Sequence, residues 1–234
     1  MFTLKTHRLA TVDSTNLEAR RLVVAGEGGP LWITSAEQTA GKGRLGRNWV
    51  SKPGNFYGTL LWPTIAPQNA LAQASFAAAI AVHQTASKFV NPERIALKWP
   101  NDCLLGGAKF CGILTEGIAP GLLAIGIGIN IAHVPDDLPY AASRLENSNV
   151  ESVFEKLQLN LSNNLAIWNE GQGFESIRQE WMARCPHLGK AVNVDGVAGH
   201  FEGLGFDGAL LLRLTNGDCK QIYAGDVRVE YEKP

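Results

Sequence analysis

The stretch AEQTAGKGRLGRNWVSKPGN, Ala36 to Asn55, decides which kind of ligand-binding fold this chain can adopt. Its glycines Gly41, Gly43 and Gly46 fit the GxGxxG spacing of a dinucleotide-binding turn. That turn needs a strand before it, a helix opening at it, and an acidic residue roughly 20 positions on. Leu31-Trp32-Ile33-Thr34 supplies a plausible strand, but Pro53-Gly54 reads as a turn where the helix should run. No Asp or Glu occurs between Glu37 and Glu93. A doubly wound nicotinamide fold is therefore set aside. What remains is a glycine-rich loop carrying Lys42, Arg44, Arg47 and Lys52 without a local counter-charge. Glycine lets backbone approach a ligand closely, and arginine grips phosphate or carboxylate through a planar fork. A solvated surface loop has the same composition, so the rest of the chain must decide.

Outward from the loop, helix and strand signals alternate irregularly. Asp13-Ser14-Thr15-Asn16 offers N-caps, and Thr15-x-x-Glu18 fits a capping box for a helix ending near Gly26. Strands are expected at 31–36 and 56–62, a long buried helix at 68–89, and a strand from Ile95 to Trp99 cut off by Pro100. Gly106-Gly107 joins 103–105 to 109–114 as a hairpin, and 122–131 alternates Ile with Gly as another strand. Ser148-x-x-Glu151 opens a second helix running to Trp168, and a third spans 174–184. Beyond Pro186 the pattern changes to short strands with tight turns, which predicts a small β-barrel over 187–234 after a main domain over 1–186. The fold class is α+β: a mixed sheet with helices packed on it, plus that barrel.

With 234 residues, 45% hydrophobic and 18% charged, the chain can bury a substantial core. A formal net charge of −1 argues against a broad nucleic-acid-binding face. The N-terminus lacks the apolar region of a signal peptide, and Leu71 to Val90 is too polar to span a bilayer. The four cysteines form no metal spacing and are expected as free thiols in a reducing compartment. A cytoplasmic protein with no membrane or DNA partner is expected.

Three other stretches carry possible chemistry. Ser14-Thr15-Asn16 can cap a helix and also present hydroxyl and amide groups to a polar ligand. Lys98-Trp99-Pro100-Asn101-Asp102 ends a strand on an amide and a carboxylate, and Asp102 could hold Mg²⁺ or orient an amine; a capped turn would look the same. Lys109 on the hairpin strand, if half buried, requires an anionic partner, and an exposed strand lysine is the plain alternative. Gly126-Ile127-Gly128-Ile129-Asn130 adds close-approach glycines ending in an amide.

Taken in order, STN, EQTAGKGRLGRNW, KWPND, K-x-x-G-I-L-x-E and GIGIN resemble the catalytic domain of the biotin–protein ligase family, over residues 8–234 in one register. The resemblance implies a class II synthetase-like catalytic domain that makes biotinyl-5′-AMP from biotin and ATP, with Mg²⁺. It then passes biotin to a lysine of a biotin carboxyl carrier protein domain. Ser14, Thr15, Asn16, Gln38, Lys42, Gly43, Arg44, Lys109 and Gly112 are implied at biotin; Arg47, Trp49, Asn101 and Asn130 at ATP. Lys109, Arg44 and Asp102 would be catalytic, with Asp102 also the metal ligand. The family loop usually reads GRGR, whereas here Lys42 replaces the first arginine. With STN beginning at residue 14, no N-terminal DNA-binding domain is expected. Family dimers make a homodimer plausible. A lipoate or octanoate ligase of the same fold would be expected to carry R-R-x-x-G-G-G and a following His-Asp, and neither is found. A biotin-binding sensor without turnover is the non-enzymatic alternative.

Overall fold

The computed structural model describes residues 4–135 and 138–229. The chain starts with a strand that the sequence reading passes over, β1 (Lys5–Val12), whose KTHRLATV has no clean alternation of apolar residues. It pairs parallel to β2 (Leu31–Gln38) through the crossover helix α1 (Thr15–Val24). β3 (Phe56–Pro63) follows, almost wholly buried. The expected long helix begins with a 3-10 segment, Gln68–Gln73, and continues as α2 (Ala74–Ala86). Nearly every residue of α2 is buried, so its alanines set close packing rather than an amphipathic stripe.

Next come β4 (Ile95–Lys98), β5 (Asp102–Leu105), β6 (Ala108–Ala119) and β7 (Leu122–Ile129). Gly106 and Gly107 turn β5 into β6 with φ of +61° and +83°, the two positive values that a tight hairpin turn demands. The seven strands form one mixed sheet in the order β1-β2-β3-β7-β6-β5-β4. Helices α2, α3 (Val150–Trp168) and α4 (Phe174–Met182) belong to one core with it, built around Trp32, Phe56, Phe110, Phe154, Trp168 and Trp181. α1 packs separately against β2, β3 and β7 through Ala19, Leu31, Ile33, Leu61 and Ala124.

Neither capping box forms where the sequence places it: the one at α1 is absent and the one at α3 is shifted. α1 is capped at Ser14 without a side-chain bond; the amide oxygen of Gln38 instead accepts from the Thr15 backbone N–H at 2.9 Å. At α3 the box is Asn149 with Ser152, one residue past the expected pair, because Asn149 Oδ1 reaches the Ser152 N–H at 2.9 Å.

The C-terminal strands are β8 (Ala191–Val194), β9 (Val197–Leu204), β10 (Leu210–Arg213), β11 (Cys219–Ile222) and β12 (Val227–Val229). They form an antiparallel sheet in the order β11-β10-β9-β8-β12; among the described residues no pairing joins β11 to β12, so the sheet is not a closed barrel. Its inner residues Val192, Phe201, Leu204 and Leu210 join the same apolar cluster as α2 and α4. Trp99 Nε1–H to the Gly208 carbonyl, 3.1 Å, ties the end of β4 to the C-terminal sheet, and Arg178 of α4 to the Leu204 carbonyl, 2.7 Å, ties that helix to it. All four cysteines are free, with Cys103 and Cys111 buried opposite each other on β5 and β6.

Candidate active site

Because Gln38 caps α1, the side chains of Ser14, Thr15 and Asn16 are released from capping, and all three are buried. They meet Thr59 of β3, which is fully buried. Its hydroxyl lies 2.6 Å from Asn16 Oδ1 and 2.8 Å from Thr15 Oγ1. Asn16 Nδ2 donates to Glu116 at 2.7 Å, and Gln38 Nε2 donates to Ser51 at 2.9 Å. This network forms one end of a cleft, polar but satisfied within the protein.

The floor is made by glycines. Gly112 of β6 lies opposite Gly128 of β7, with Gly126 two residues before it. A Cβ on Gly126 would lie 2.3 Å from Asn16 Oδ1, and one on Gly128 would lie 2.4 Å from Trp49 Nε1. The alternating Gly-Ile sequence thus leaves room for side chains from other elements to lie flat on the sheet. The Trp49 indole N–H is buried there with no partner, so a polar group can be met at that point.

The cationic loop is a compact turn. Lys42 bridges Asn48, the Gly43 N–H reaches the Arg47 carbonyl at 2.7 Å, and Arg44–Gly46 makes one 3-10 turn with Leu45 at φ +55°. Arg44 points into the cleft and is half buried. Burial lowers its pKa, opposed by the charge of Asp102; its one side-chain bond goes to Asn101 Oδ1 at 3.4 Å. A guanidinium so weakly partnered is ready for an anion. Arg47 lies at the rim and pairs with Asp226 at 2.6 Å.

The hairpin supplies the remaining charges. Asp102 and Lys98 pair across the β4–β5 turn, and Asn101 is stapled to β6 by Nδ2–H to the Ile113 carbonyl, 2.5 Å. A β-bulge between β5 and β6 sets Cys103 opposite Cys111 but Leu104 opposite Lys109, so Phe110 is the extra residue. Strict alternation from Gly112 would turn Lys109 toward the core; the bulge sends Phe110 and Cys111 both inward and Lys109 into the cleft. Lys109 Nζ lies 2.7 Å from Asp102 Oδ1, 5.5 Å from the Trp49 ring and 5.3 Å from the Tyr140 ring. That Asp102 oxygen is buried and makes no well-directed hydrogen bond, so the lysine contact is one of charge alone.

One cleft of about 810 Å³, counting its open mouth, is lined by every sequence-derived candidate except Asn130. Asn130 is buried beneath it, where its amide donates to the Ser143 carbonyl at 3.1 Å and fixes the segment after β7. The sequence reading misses Tyr140, Leu45 and Asp226. Tyr140 sits in a segment held against β6 by backbone pairing with Lys109, N–H to the Ala141 carbonyl at 2.8 Å, and by the Ser143 bonds to Lys109 and Ala108. Nothing in the sequence around Asp226 marks it.

Among the described residues no group of three or more His, Cys, Asp or Glu side chains is placed to hold a metal. The residues present fit a divalent cation that takes one protein carboxylate and draws its other ligands from a substrate's phosphates. Asp102, whose Oδ1 is buried without a hydrogen bond, would be the carboxylate to hold such an ion.

A model of the biotin/lipoate A/B protein ligase family matches residues 8–131. The chain is similar to a biotin–[acetyl-CoA-carboxylase] ligase of Paracoccus denitrificans, 41% identical over 88% of this chain and 92% of that protein. It is 32% identical to the bifunctional ligase/repressor BirA of Bacillus subtilis, over 84% of this chain and 65% of that one. Among solved structures, a biotin protein ligase from Aquifex aeolicus in complex with biotin and ATP superposes with a TM-score of 0.81 at 26% identity, covering 96% of this chain and 97% of that one. The match spans β1 to the end of β7, the strands and loops that carry Ser14 through Lys109, and with 41% identity over most of the chain it makes this protein a member of the biotin/lipoate A/B protein ligase family.

Proposed function

We propose that this cleft activates biotin with ATP and transfers the biotinyl group to a lysine on the carrier domain of a biotin-dependent carboxylase. The observation that carries the reading is that Lys109, paired with Asp102, and half-buried Arg44 line the same cleft as the Ser14–Asn16 network. Biotin's carboxylate attacks the α-phosphorus; a P–O bond forms as the α–β anhydride bond breaks, and pyrophosphate leaves. The carrier lysine's amine then attacks the acyl carbon of biotinyl-5′-AMP, forming an amide. AMP leaves and the amine gives up a proton. No protein nucleophile is required.

Lys109 is assigned to the junction of carboxylate and α-phosphate, where negative charge builds up during attack. A phosphate there outcompetes Asp102 for the ammonium, which frees Asp102 to orient the incoming amine or to ligate Mg²⁺. When bound, the metal would neutralise phosphate charge. Ser14, Thr15, Asn16 and Gln38 hold biotin's polar end, with Gly112 leaving room at the floor. The loop from Gly41 to Trp49 covers the site and shields a water-sensitive mixed anhydride. Arg44 retains that anhydride, Arg47 meets phosphate, and Trp49 and Asn101 flank the nucleotide. Asn130 acts one step removed, by fixing the Ser143 segment. We assign catalysis to residues 1–186, and 187–234 to a small domain that lends Asp226 to the rim. The edge strands β1 and β4 are where an edge-to-edge dimer would form, and sedimentation velocity reads it.

The test is biotin-dependent exchange of labelled pyrophosphate into ATP, with lipoate and octanoate in parallel. Exchange with biotin alone is expected. Exchange with lipoate or octanoate instead overturns the pocket assignment, and none with any acid, from protein that still binds biotin, points to a sensor.

A further inference from the structure

Asp226 is held in place from both sides. Before it, Gly225 has a φ of +144°, and a Cβ there would lie 2.7 Å from Asp195 Oδ2 and 2.9 Å from Val194 Cγ1, so glycine lets the chain press against the β8–β9 turn. After it, Val227 is buried and pairs with Val194. The Asp226 N–H points at Asp195 Oδ1, 3.3 Å away. The carboxylate is thereby fixed at the rim of the cleft, 2.6 Å from Arg47 Nη2, across 179 residues of sequence. Arg47 is fixed in turn, because its own N–H and carbonyl close the loop turn onto Arg44 and Gly43. Asp226 is thus a direct tie between the cationic loop and the C-terminal sheet.

We propose that Asp226 is a positioning residue: through Arg47 it holds the Gly41–Trp49 loop over the cleft until nucleotide phosphate takes its place on the guanidinium. The identity of the displacing anion rests on the biotin-adenylating reading; the tie itself does not. A triphosphate carries more negative charge than one carboxylate, and it meets Arg44 as well as Arg47, so it wins the exchange. Asp226 is then left without its cation, beside Asp195 and near an anionic ligand. That repulsion loosens the C-terminal sheet's hold on the loop when nucleotide is bound and restores it when the product leaves. The carboxylate also resists nucleotide entry, so its removal should tighten ATP. The ordinary pKa of Asp226 is lowered, first by the Arg47 hydrogen bond, so the tie stays charged at neutral pH.

The experiment compares the full chain with Asp226→Asn, Asp226→Glu and Arg47→Gln. Tryptic cleavage at Lys42 and Arg44, without nucleotide, reads loop release, and pyrophosphate exchange reads the KM for ATP. A partly exposed pair of this kind is worth a factor of up to about five. Asp226→Asn should be cut about two- to fivefold faster and show a KM for ATP lowered by a similar factor, with the larger part of the effect in KM. Asp226→Glu should behave like the parent. Arg47→Gln should release the loop as Asp226→Asn does, and it removes the tie from the exposed loop should the aspartate variant misfold. Unchanged cleavage in Asp226→Asn, or faster cleavage with an unchanged KM, overturns the proposal. If the parent shows no biotin-dependent exchange, the adenylating reading falls, while cleavage still decides the tie.

Discussion

Gly126→Ala adds one methyl group at the most crowded point of the site floor. The new Cβ would lie 2.3 Å from Asn16 Oδ1, 3.1 Å from its Cγ and 3.2 Å from its Nδ2, so the whole amide must move until these distances reach about 3.4 Å. Asn16 cannot swing away freely: Thr59 holds its oxygen at 2.6 Å and Glu116 its nitrogen at 2.7 Å. Thr59 is fully buried, so a lost bond there is not replaced by water. Leaving one such group unsatisfied, or straining the strand instead, costs about 1–3 kcal/mol. For a domain of this size that lowers the Tm by about 2–12 °C, at roughly 2–4 °C per kcal/mol. The amide also stands at the proposed biotin end, so the KM for biotin should rise severalfold. Calorimetry and pyrophosphate exchange on one preparation read both quantities. Gly28→Ala is the control, since no atom lies within 4 Å of its added Cβ and it should be neutral. A Gly126→Ala protein with the parent's Tm and the parent's KM would refute the close-approach account of the Gly-Ile strand.

Lys109→Gln keeps a polar side chain, one bond shorter, but removes the charge 2.7 Å from Asp102; the adenylation rate should fall about 10²–10³-fold, measured by single-turnover formation of biotinyl-AMP. Lys42→Arg restores a planar fork on the loop, so biotinyl-AMP should dissociate more slowly; an unchanged rate removes the difference between lysine and arginine at that position. Acid should destabilise the protein through His83 and His187. Burial pushes both down to about 4, helped by Arg184 at His83 and by Lys98 and Lys190 at His187. The unfolded chain then binds more protons than the folded one between its ordinary histidine pKa and about 4, so stability is full above pH 6.5 and falls as pH drops through that window. Urea unfolding at pH 7 and 4.5 should show a loss of at most about 5 kcal/mol, about 2.5 from each histidine before solvent screening, which a His83→Gln, His187→Gln protein should lack in large part.

The strands from Leu31 to Ile129 were legible because their burial is two-sided or their turns are marked, as at Gly106-Gly107. β1 was not, since an edge strand with one partner needs no apolar alternation; His7, Arg8 and Thr11 are all acceptable there. The caps of α1 and α3 were misplaced for a related reason. Sequence shows which residues can cap, but the Gln38 amide that does so at α1 arrives from β2. The candidate side chains were legible as short stretches of polar and glycine residues. Their assembly into one cleft was not deducible from spacing, and neither Tyr140 nor Asp226 belongs to any stretch: one arrives by backbone pairing with Lys109, the other from the far sheet.

The bulge at Phe110 separates two kinds of genetic change. Replacing Phe110 by another large apolar residue alters packing and leaves Lys109 facing Asp102; deleting it makes the pairing of β5 with β6 regular and also keeps Lys109 on the cleft face, next to inward Cys111, but removes a fully buried aromatic ring from the core. The change that would abolish the site is the opposite one: a residue added to β5 opposite Phe110 cures the irregularity and turns Lys109 toward the core. For this segment the count of residues in β5 is therefore under tighter constraint than the identity of residue 110, and a library of variants should tolerate several large apolar letters at Phe110 but no residue added opposite it.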